Sequence, residues 1–397
     1  MQNHLRLLTP GPTAIPDRVR LAMAMPMIHH RKPEFKAVLE ETRFYLKKLF
    51  GTEQEVLPLA SSGTGAMTAA VINLFSRGEK ILVAQAGKFG ERWRSIAQVQ
   101  GLEIVEIAKP WGEAVLAEDI EAVLKQHADI KGVCIQICET STGVMHPIHE
   151  IAKITRKYDV LLVADGISSV GISPAPMDEW GIDVLLTGSQ KGLMVPAGLS
   201  LLAFSEKAWK KAEQTETSCF YFNLKAELKN VLKNQTNFSS PVSLIVGLKE
   251  ALAMIFEDSG HGGCGGLDAL YQKHFALAQM TRAGIKAMGL EPFAKTYYAW
   301  GLTSVAMPQN VSGSELVGLA AKETGVVIAA GQEPMKDEMI RLAHMGHVDF
   351  GDMLAGLYAV ARSLPQKPAA FDNAYMSIAM QAYENAPAYP KNGVAGA

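Results

Sequence analysis

The chain has 397 residues, with 38 Lys and Arg against 40 Asp and Glu, for a formal net charge of -2. Apolar residues make up 48% and charged residues 20%, which excludes a disordered chain, a fibre or a coiled coil. A charge this close to neutral offers no basic face for nucleic acid or an anionic membrane, so neither is expected as a partner. At roughly 150 residues per domain the length predicts two to three domains. No apolar run approaches the roughly 18 residues that span a bilayer, and Met1-Gln2-Asn3-His4-Leu5-Arg6 lacks the basic-then-apolar order of a signal peptide. The four cysteines, Cys134, Cys138, Cys219 and Cys264, form no Cys-x-x-Cys pair and are too few to staple a chain this long. A cytoplasmic location is therefore expected.

In chain order, residues 1–20 read as an N-terminal arm. Met23-Ala24-Met25-Pro26-Met27 fits a pocket wall, a subunit contact or ordinary core. His29 and His30 are adjacent, would point apart in extended chain, and make no metal pair. Apolar positions at helical spacing predict a helix over 34–50, ended by Gly51, and a second over 64–76, entered from a loop of small residues. Buried strands are predicted at Lys80 to Ala84, Gly132 to Ile137, Val160 to Ala164, Val184 to Leu186 and Leu199 to Phe204. These aliphatic runs do not alternate with polar residues, which marks strands covered on both faces in a mostly parallel sheet. Cys134 and Cys138, four apart on one such strand, are expected to face the same side as buried small residues. The last strands crowd around Lys191, so the sheet is expected to be mixed. The glycine-rich stretch Gly260 to Gly266 follows a helix rather than a strand and reads as a helix stop and domain junction. A long helix (267–289), strands near 302–307 and 339–343, and helices at 314–324 and 350–363 follow. The expected fold is α/β, with a large domain over 21–265 and a small α+β domain over 266–365. Residues 366–397 predict a short helix and a loose tail.

Three features suggest chemistry. Ser61-Ser62-Gly63-Thr64-Gly65-Ala66 lies between an apolar stretch and a helix, where converging N–H groups suit a phosphate or carboxylate; plain helix capping is the alternative. Asp165 stands at the carboxyl end of a buried strand, the edge where open α/β sheets take ligands. It could hold a metal, act as a base, pair with a protonated ring nitrogen or cap the next turn. Lys191 follows the next buried strand, where partial desolvation would lower its pKa and suit Schiff-base chemistry. A phosphate cup, an acid and an amine together match the contacts that pyridoxal 5′-phosphate (PLP) needs.

With these motifs in hand, the chain resembles the class V aminotransferases of fold-type I, closest to the alanine/serine–glyoxylate group. The resemblance covers about residues 5–365. It is carried by Leu8-Thr9-Pro10-Gly11-Pro12-Thr13, His29-His30-Arg31, Ser62-Gly63-Thr64-Gly65-Ala66, Gly87-Lys88-Phe89-Gly90-Glu91-Arg92, Glu139-Thr140-Ser141-Thr142-Gly143, Ala164-Asp165 and Gly188-Ser189-Gln190-Lys191-Gly192. It implies PLP as cofactor, Lys191 as the Schiff-base lysine and proton shuttle, and Asp165 as partner of the ring nitrogen. It implies that Phe89 stacks on the cofactor, where relatives of the human type carry tryptophan, and that Ile167 packs on the opposite ring face. Ser62, Gly63, Thr64 and Gln190 would hold the phosphate, and Thr140 would approach the ring oxygen. Thr236 and Ser239 match positions reaching the phosphate from a neighbouring subunit, although the family often has an aromatic residue at the first. Arg341, inside the apolar strand Met339-Ile340-Arg341-Leu342-Ala343, would hold the substrate carboxylate; an ion pair with an acid such as Glu338 is the structural alternative. Arg31 fits a place near the interface or a plain surface role. A homodimer with its active site between subunits is implied.

The activity implied is ping-pong transfer of an amino group from alanine or serine to glyoxylate or another 2-oxo acid. Aspartate or phosphoserine transamination on the same fold, a PLP lyase and a non-catalytic scaffold are the alternatives. No metal is expected: His344 and His347 also lack an acidic partner at ligand spacing.

Overall fold

The computed structural model describes residues 5–216, 219–365 and 374–394. Seven strands form its main sheet: β1 (Val56–Leu59), β2 (Lys80–Gln85), β3 (Glu103–Ala108), β4 (Ile130–Gln136), β5 (Leu161–Asp165), β6 (Val184–Gly188) and β7 (Ser200–Phe204). Their spatial order is β1-β7-β6-β5-β4-β2-β3. Pairs among β2 to β6 are parallel, whereas β7 runs antiparallel to both β6 and β1. The sheet is therefore mixed, as the crowding of strands near Lys191 predicts.

Successive side chains on a strand point to opposite faces, and here both faces are dry. In β5, Leu161 and Val163 enter one core while Leu162 and Ala164 enter the other. The same split divides Ile81 and Val83 from Leu82 and Ala84 in β2. Helices cover each face. Helix α1 (Pro33–Phe50) starts with proline in its first turn and ends at Gly51, whose φ of 60° is left-handed. Phe35, Leu39, Leu46 and Phe50 form its buried stripe, each contributing about 1.5–3 kcal/mol of apolar burial. Helix α2 (Gly63–Leu74) is buried almost all round, and helix α3 (Lys88–Gln100) follows β2.

The predicted glycine-rich stop is found. Helix 242–256 ends there, and backbone bonds from Cys264 N–H to Met254 O and Gly266 N–H to Ile255 O fold the stretch back on it. Helix α4 (Leu267–Ala287) then leads into a second sheet of β8 (Glu291–Pro292), β9 (Leu302–Ala306), β10 (Ala329–Ala330) and β11 (Met339–Ala343), ordered β8-β9-β11-β10 and wholly antiparallel. Helices α5 (Gly313–Thr324), α6 (Phe350–Ser363) and α7 (Ala374–Glu384) complete a third core. Leu8 lies in that core, and Arg6–Leu7 pairs in parallel with Val326–Val327, so the N-terminal arm joins the second sheet's neighbourhood.

Three expectations are corrected, and one left open is narrowed. Cys134 and Cys138 are both buried but enter different cores, because β4 stops at Gln136 and the chain turns into a short hairpin at Cys138–Glu139. His29 and His30 do not point apart: a turn at 29–32 stacks their rings at 4.8 Å. Of the three readings open for residues 23–27, ordinary core does not hold for Met25 and Met27, which are exposed. The tail is not loose as far as Val394. Gln272 Nε2 donates to Pro387 O at 3.0 Å, and the Tyr389 ring packs on Tyr271 and Trp300. Residues 366–373 and 395–397 lie outside the described residues.

Candidate active site

Parallel strands end at one edge of the main sheet, and their carboxyl ends gather the site. Strand β6 ends at Gly188, and the chain turns at once. Ser189 Oγ donates to Pro196 O at 2.6 Å and accepts from Leu199 N–H at 3.3 Å, which fixes the turn bearing Lys191. The N-terminal arm clamps the same turn: Thr13 Oγ1 donates to Lys191 O at 2.9 Å and Thr13 N–H to Gln190 O at 3.1 Å. Lys191 Nζ donates to Pro10 O. Gly11 takes a φ of 128°, a backbone conformation that favours glycine, where the arm passes against the Lys191 side chain. Burial, then the Arg341 guanidinium, lowers the Lys191 amine to about 8.

Asp165 closes β5, in register with Gln136 of β4 and Leu186 of β6. It is 4% exposed, and Oδ1 accepts from Ile167 N–H at 2.8 Å. Burial raises its carboxyl to about 7 despite that bond. A carboxylate desolvated in this way is satisfied by a cation arriving with a ligand.

The start of α2 forms the cup. Ser61 Oγ and Ser200 Oγ are 2.7 Å apart, which ties the cup to β7. Ser62 precedes the helix without capping it through its side chain, so the first N–H groups stay open to an anion. A Cβ on Gly63 would lie 2.4 Å from Ile167 Cδ1, which brings Ile167 against the cup. Thr64 Oγ1 accepts from Arg92 Nη1 at 3.2 Å, and the Arg92 guanidinium covers the Phe89 ring at 4.8 Å. Gln190 Oε1 is buried with no hydrogen-bond partner among the described residues.

Glu139 organises the opposite wall, a role that sequence reasoning missed. Its buried carboxylate accepts from Phe89 N–H and Gly90 N–H, both at 3.1 Å, from Gln136 Nε2 at 2.7 Å, and from Ser141 N–H and Oγ. Burial raises its pKa while the Ser141 bonds oppose the rise. The available signal was an acid in an otherwise small and neutral run, Glu139-Thr140-Ser141-Thr142-Gly143. Thr140 Oγ1 donates to Ser168 Oγ at 2.7 Å, and Thr140 O accepts from Arg341 Nη1 at 3.3 Å. Arg341 is 8% exposed, and Nε donates to Ala330 O at 3.0 Å. Its hydrogen bonds go to carbonyls rather than to Glu338, so the ion-pair alternative is not realised and the guanidinium remains available to an anion.

Thr236 and Ser239 are elsewhere. Thr236 Oγ1 bonds Phe238 O and Ser240 Oγ, and both residues line a groove with Pro58, Ala60, Tyr221 and Glu227. Among the described residues no hydrogen bond joins either to Lys191 or Asp165. Arg31 Nη1 donates to Gln235 Oε1 and Thr236 O beside that groove.

An amine, a buried acid, an open helix start and a buried guanidinium around one sheet edge define a PLP-dependent transferase of fold-type I. Residues 18–352 match the family described as Aminotransferase class-V, and the chain belongs to that family. It is similar to a chain called the small subunit of a soluble hydrogenase from Synechococcus sp. (strain PCC 6716), 36% identical over 369 residues, covering 92% of this chain and 94% of that one. A serine–glyoxylate aminotransferase from Methylorubrum extorquens is 33% identical over 375 residues, covering 91% of each. Among solved structures, an aspartate aminotransferase of subgroup IV from Thermus thermophilus superposes with a TM-score of 0.82 at 29% identity, covering 90% of this chain and 100% of that one. The protein is a PLP-dependent aminotransferase. Its residues fit the cofactor: the uncapped start of α2 offers N–H donors to a phosphate, and the desolvated Asp165 offers a carboxylate to a protonated ring nitrogen. No helix among the described residues is long and apolar enough to cross a membrane, and no group of three or more His, Cys, Asp or Glu there could hold a metal ion.

Proposed function

We propose that the enzyme moves an amino group from a small amino acid, serine or alanine, to glyoxylate or another 2-oxo acid. The observation that carries this reading is the Arg341 guanidinium, buried near Lys191 and, among the described residues, hydrogen-bonded only to carbonyls. It fits a substrate α-carboxylate and would bring the α-carbon toward the lysine. Bound PLP supplies an aldehyde that links to amines and a ring that withdraws electrons. Lys191 Nζ, part neutral near pH 8, carries the link at rest. Once freed, Nζ would take the proton from the substrate α-carbon and return it on the far side of the amino nitrogen. Asp165 would hold a proton on the ring nitrogen. Phe89, fixed by Glu139, and Ile167 would flank the ring, while Ser62, Gly63, Thr64 and Gln190 would hold the phosphate and Thr140 would approach the ring oxygen.

Small donors are favoured because the second guanidinium acting on Lys191 and Asp165, that of Arg92, is engaged by Phe89 and Thr64. Aspartate or phosphoserine would add an anionic group needing its own cation. We also propose a homodimer in which Thr236 and Ser239 reach the partner's phosphate cup; the exposed Leu21, Met25 and Met27 support a covered surface. The test is glycine formation from glyoxylate with serine, alanine, aspartate and phosphoserine supplied separately. Serine or alanine should exceed aspartate in kcat/KM by at least about tenfold, or 1.4 kcal/mol. Preference for aspartate or phosphoserine would replace the donor assignment.

A further inference from the structure

Arg282 lies far along α4 and is 7% exposed. Its guanidinium covers the Tyr298 ring at 5.2 Å, and Nη1 donates to Ala299 O at 3.2 Å. Among the described residues that is its one hydrogen bond, and it forms no ion pair. A guanidinium has five N–H donors, and leaving a buried one without an anion is costly.

Arg282 faces a groove of about 690 Å³ between α4 and the C-terminal segment. Phe275, Tyr298, Pro387, Pro390 and Val394 supply apolar walls, and exposed Lys286 stands at the rim. No Asp or Glu lines the groove among the described residues. The outer wall is built, not draped: Gln272 exchanges hydrogen bonds with Pro387 O (3.0 Å) and Tyr389 N–H (2.9 Å). That outer wall lies beyond residues 18–352, the part matched by the family, whereas Phe275, Arg282, Lys286 and Tyr298 lie within it.

We propose that this groove binds a small organic monocarboxylate. The Arg282 fork takes the carboxylate, Lys286 adds charge at the rim, and the carbon body lies against Phe275, Tyr298 and Pro390. A monoanion suits the site better than phosphate. One fork and one mobile amine offer few fixed donors, and the carbonyl end of α4 disfavours a dianion.

Isothermal titration of the PLP-loaded enzyme with benzoate tests this. The expected result is a benzoate site that weakens at least about tenfold in Arg282→Gln and in Ala388→Trp, yet persists in Arg341→Gln. Ala388 is exposed and lines the groove, so its variant blocks the mouth without touching the core and keeps the test valid if Arg282→Gln fails to fold. Unchanged benzoate binding in a folded groove variant, or loss of all binding in Arg341→Gln, would overturn the proposal. Inorganic phosphate displacing benzoate from this site at equal concentration would overturn the carboxylate assignment.

Discussion

Lys191 and Asp165 are displaced from their ordinary pKa values in opposite directions by the same cause, burial at the sheet edge. The Lys191 amine is lowered to about 8, so between about 8 and its ordinary 10.5 the folded chain binds fewer protons than the unfolded one. The group's unfavourable charge is fully felt below about 8 and relieved as pH rises through that window. Capture of added PLP by cofactor-free enzyme, read as the growth of visible absorbance, should therefore quicken about tenfold per pH unit below pH 8 and then level off. Asp165 behaves in the opposite sense. Its carboxyl is raised to about 7, so the folded cofactor-free chain holds an extra proton between 3.8 and about 7 and loses stability as pH climbs through that range. A ring cation removes the penalty, so the thermal shift given by PLP should grow from pH 4 to pH 7, and Asp165→Asn should flatten it. The same variant should retain cofactor while its kcat falls about 100-fold or more. Asp165 was legible because it ends an aliphatic run, and Lys191 because it lies just past one. Arg341 was legible because it interrupts one. Glu139 was not, since its partners at Phe89 and Gly90 are about fifty residues away and meet it only in the fold.

Helices and strands were legible where burial is two-sided. Aliphatic runs fixed the positions of β2, β4, β5, β6 and β7 to within a few residues, and Gly51 marked the end of α1. Short pairings such as Arg6–Leu7 with Val326–Val327 carry no local pattern, because their partner lies in a distant segment. The Cys138 error has the same origin: period-two reasoning holds only while the strand continues. Two glycines at helix ends separate stability from binding. Gly51 has φ 60° and a Cβ there would lie 2.9 Å from Pro176 Cα, a backbone atom that cannot yield. Gly51→Ala should cost about 1–3 kcal/mol in chemical denaturation and leave cofactor affinity unchanged. At Gly63 the obstacle is the end of the Ile167 side chain. Gly63→Ala should instead weaken PLP binding, measured by equilibrium dialysis, more than it lowers stability.

At the scale of the whole molecule, the arm, the main sheet and the second sheet converge on one turn. Thr13 holds the Lys191 backbone, and Thr140, near the main sheet's edge, accepts from Arg341 in the second sheet. Thr236 and Ser239 stand outside this convergence, and their proposed place in a partner's site makes a prediction about mixed subunits. Lys191→Ala and Ser239→Trp enzymes should each be inactive alone. Unfolded together and refolded, they should recover up to about a quarter of wild-type activity, since half the dimers are mixed and each has one intact site. No recovery would place both residues' work within a single chain. The most direct test of the central claim is the visible spectrum of purified enzyme reconstituted with PLP, with Lys191→Ala as the comparison. The account predicts an absorbance band from the lysine-linked cofactor in the wild type. Serine or alanine should bleach it, glyoxylate should restore it, and Lys191→Ala should neither show it nor turn over. A wild-type protein that takes up no PLP, or a Lys191→Ala variant that cycles normally, would contradict it.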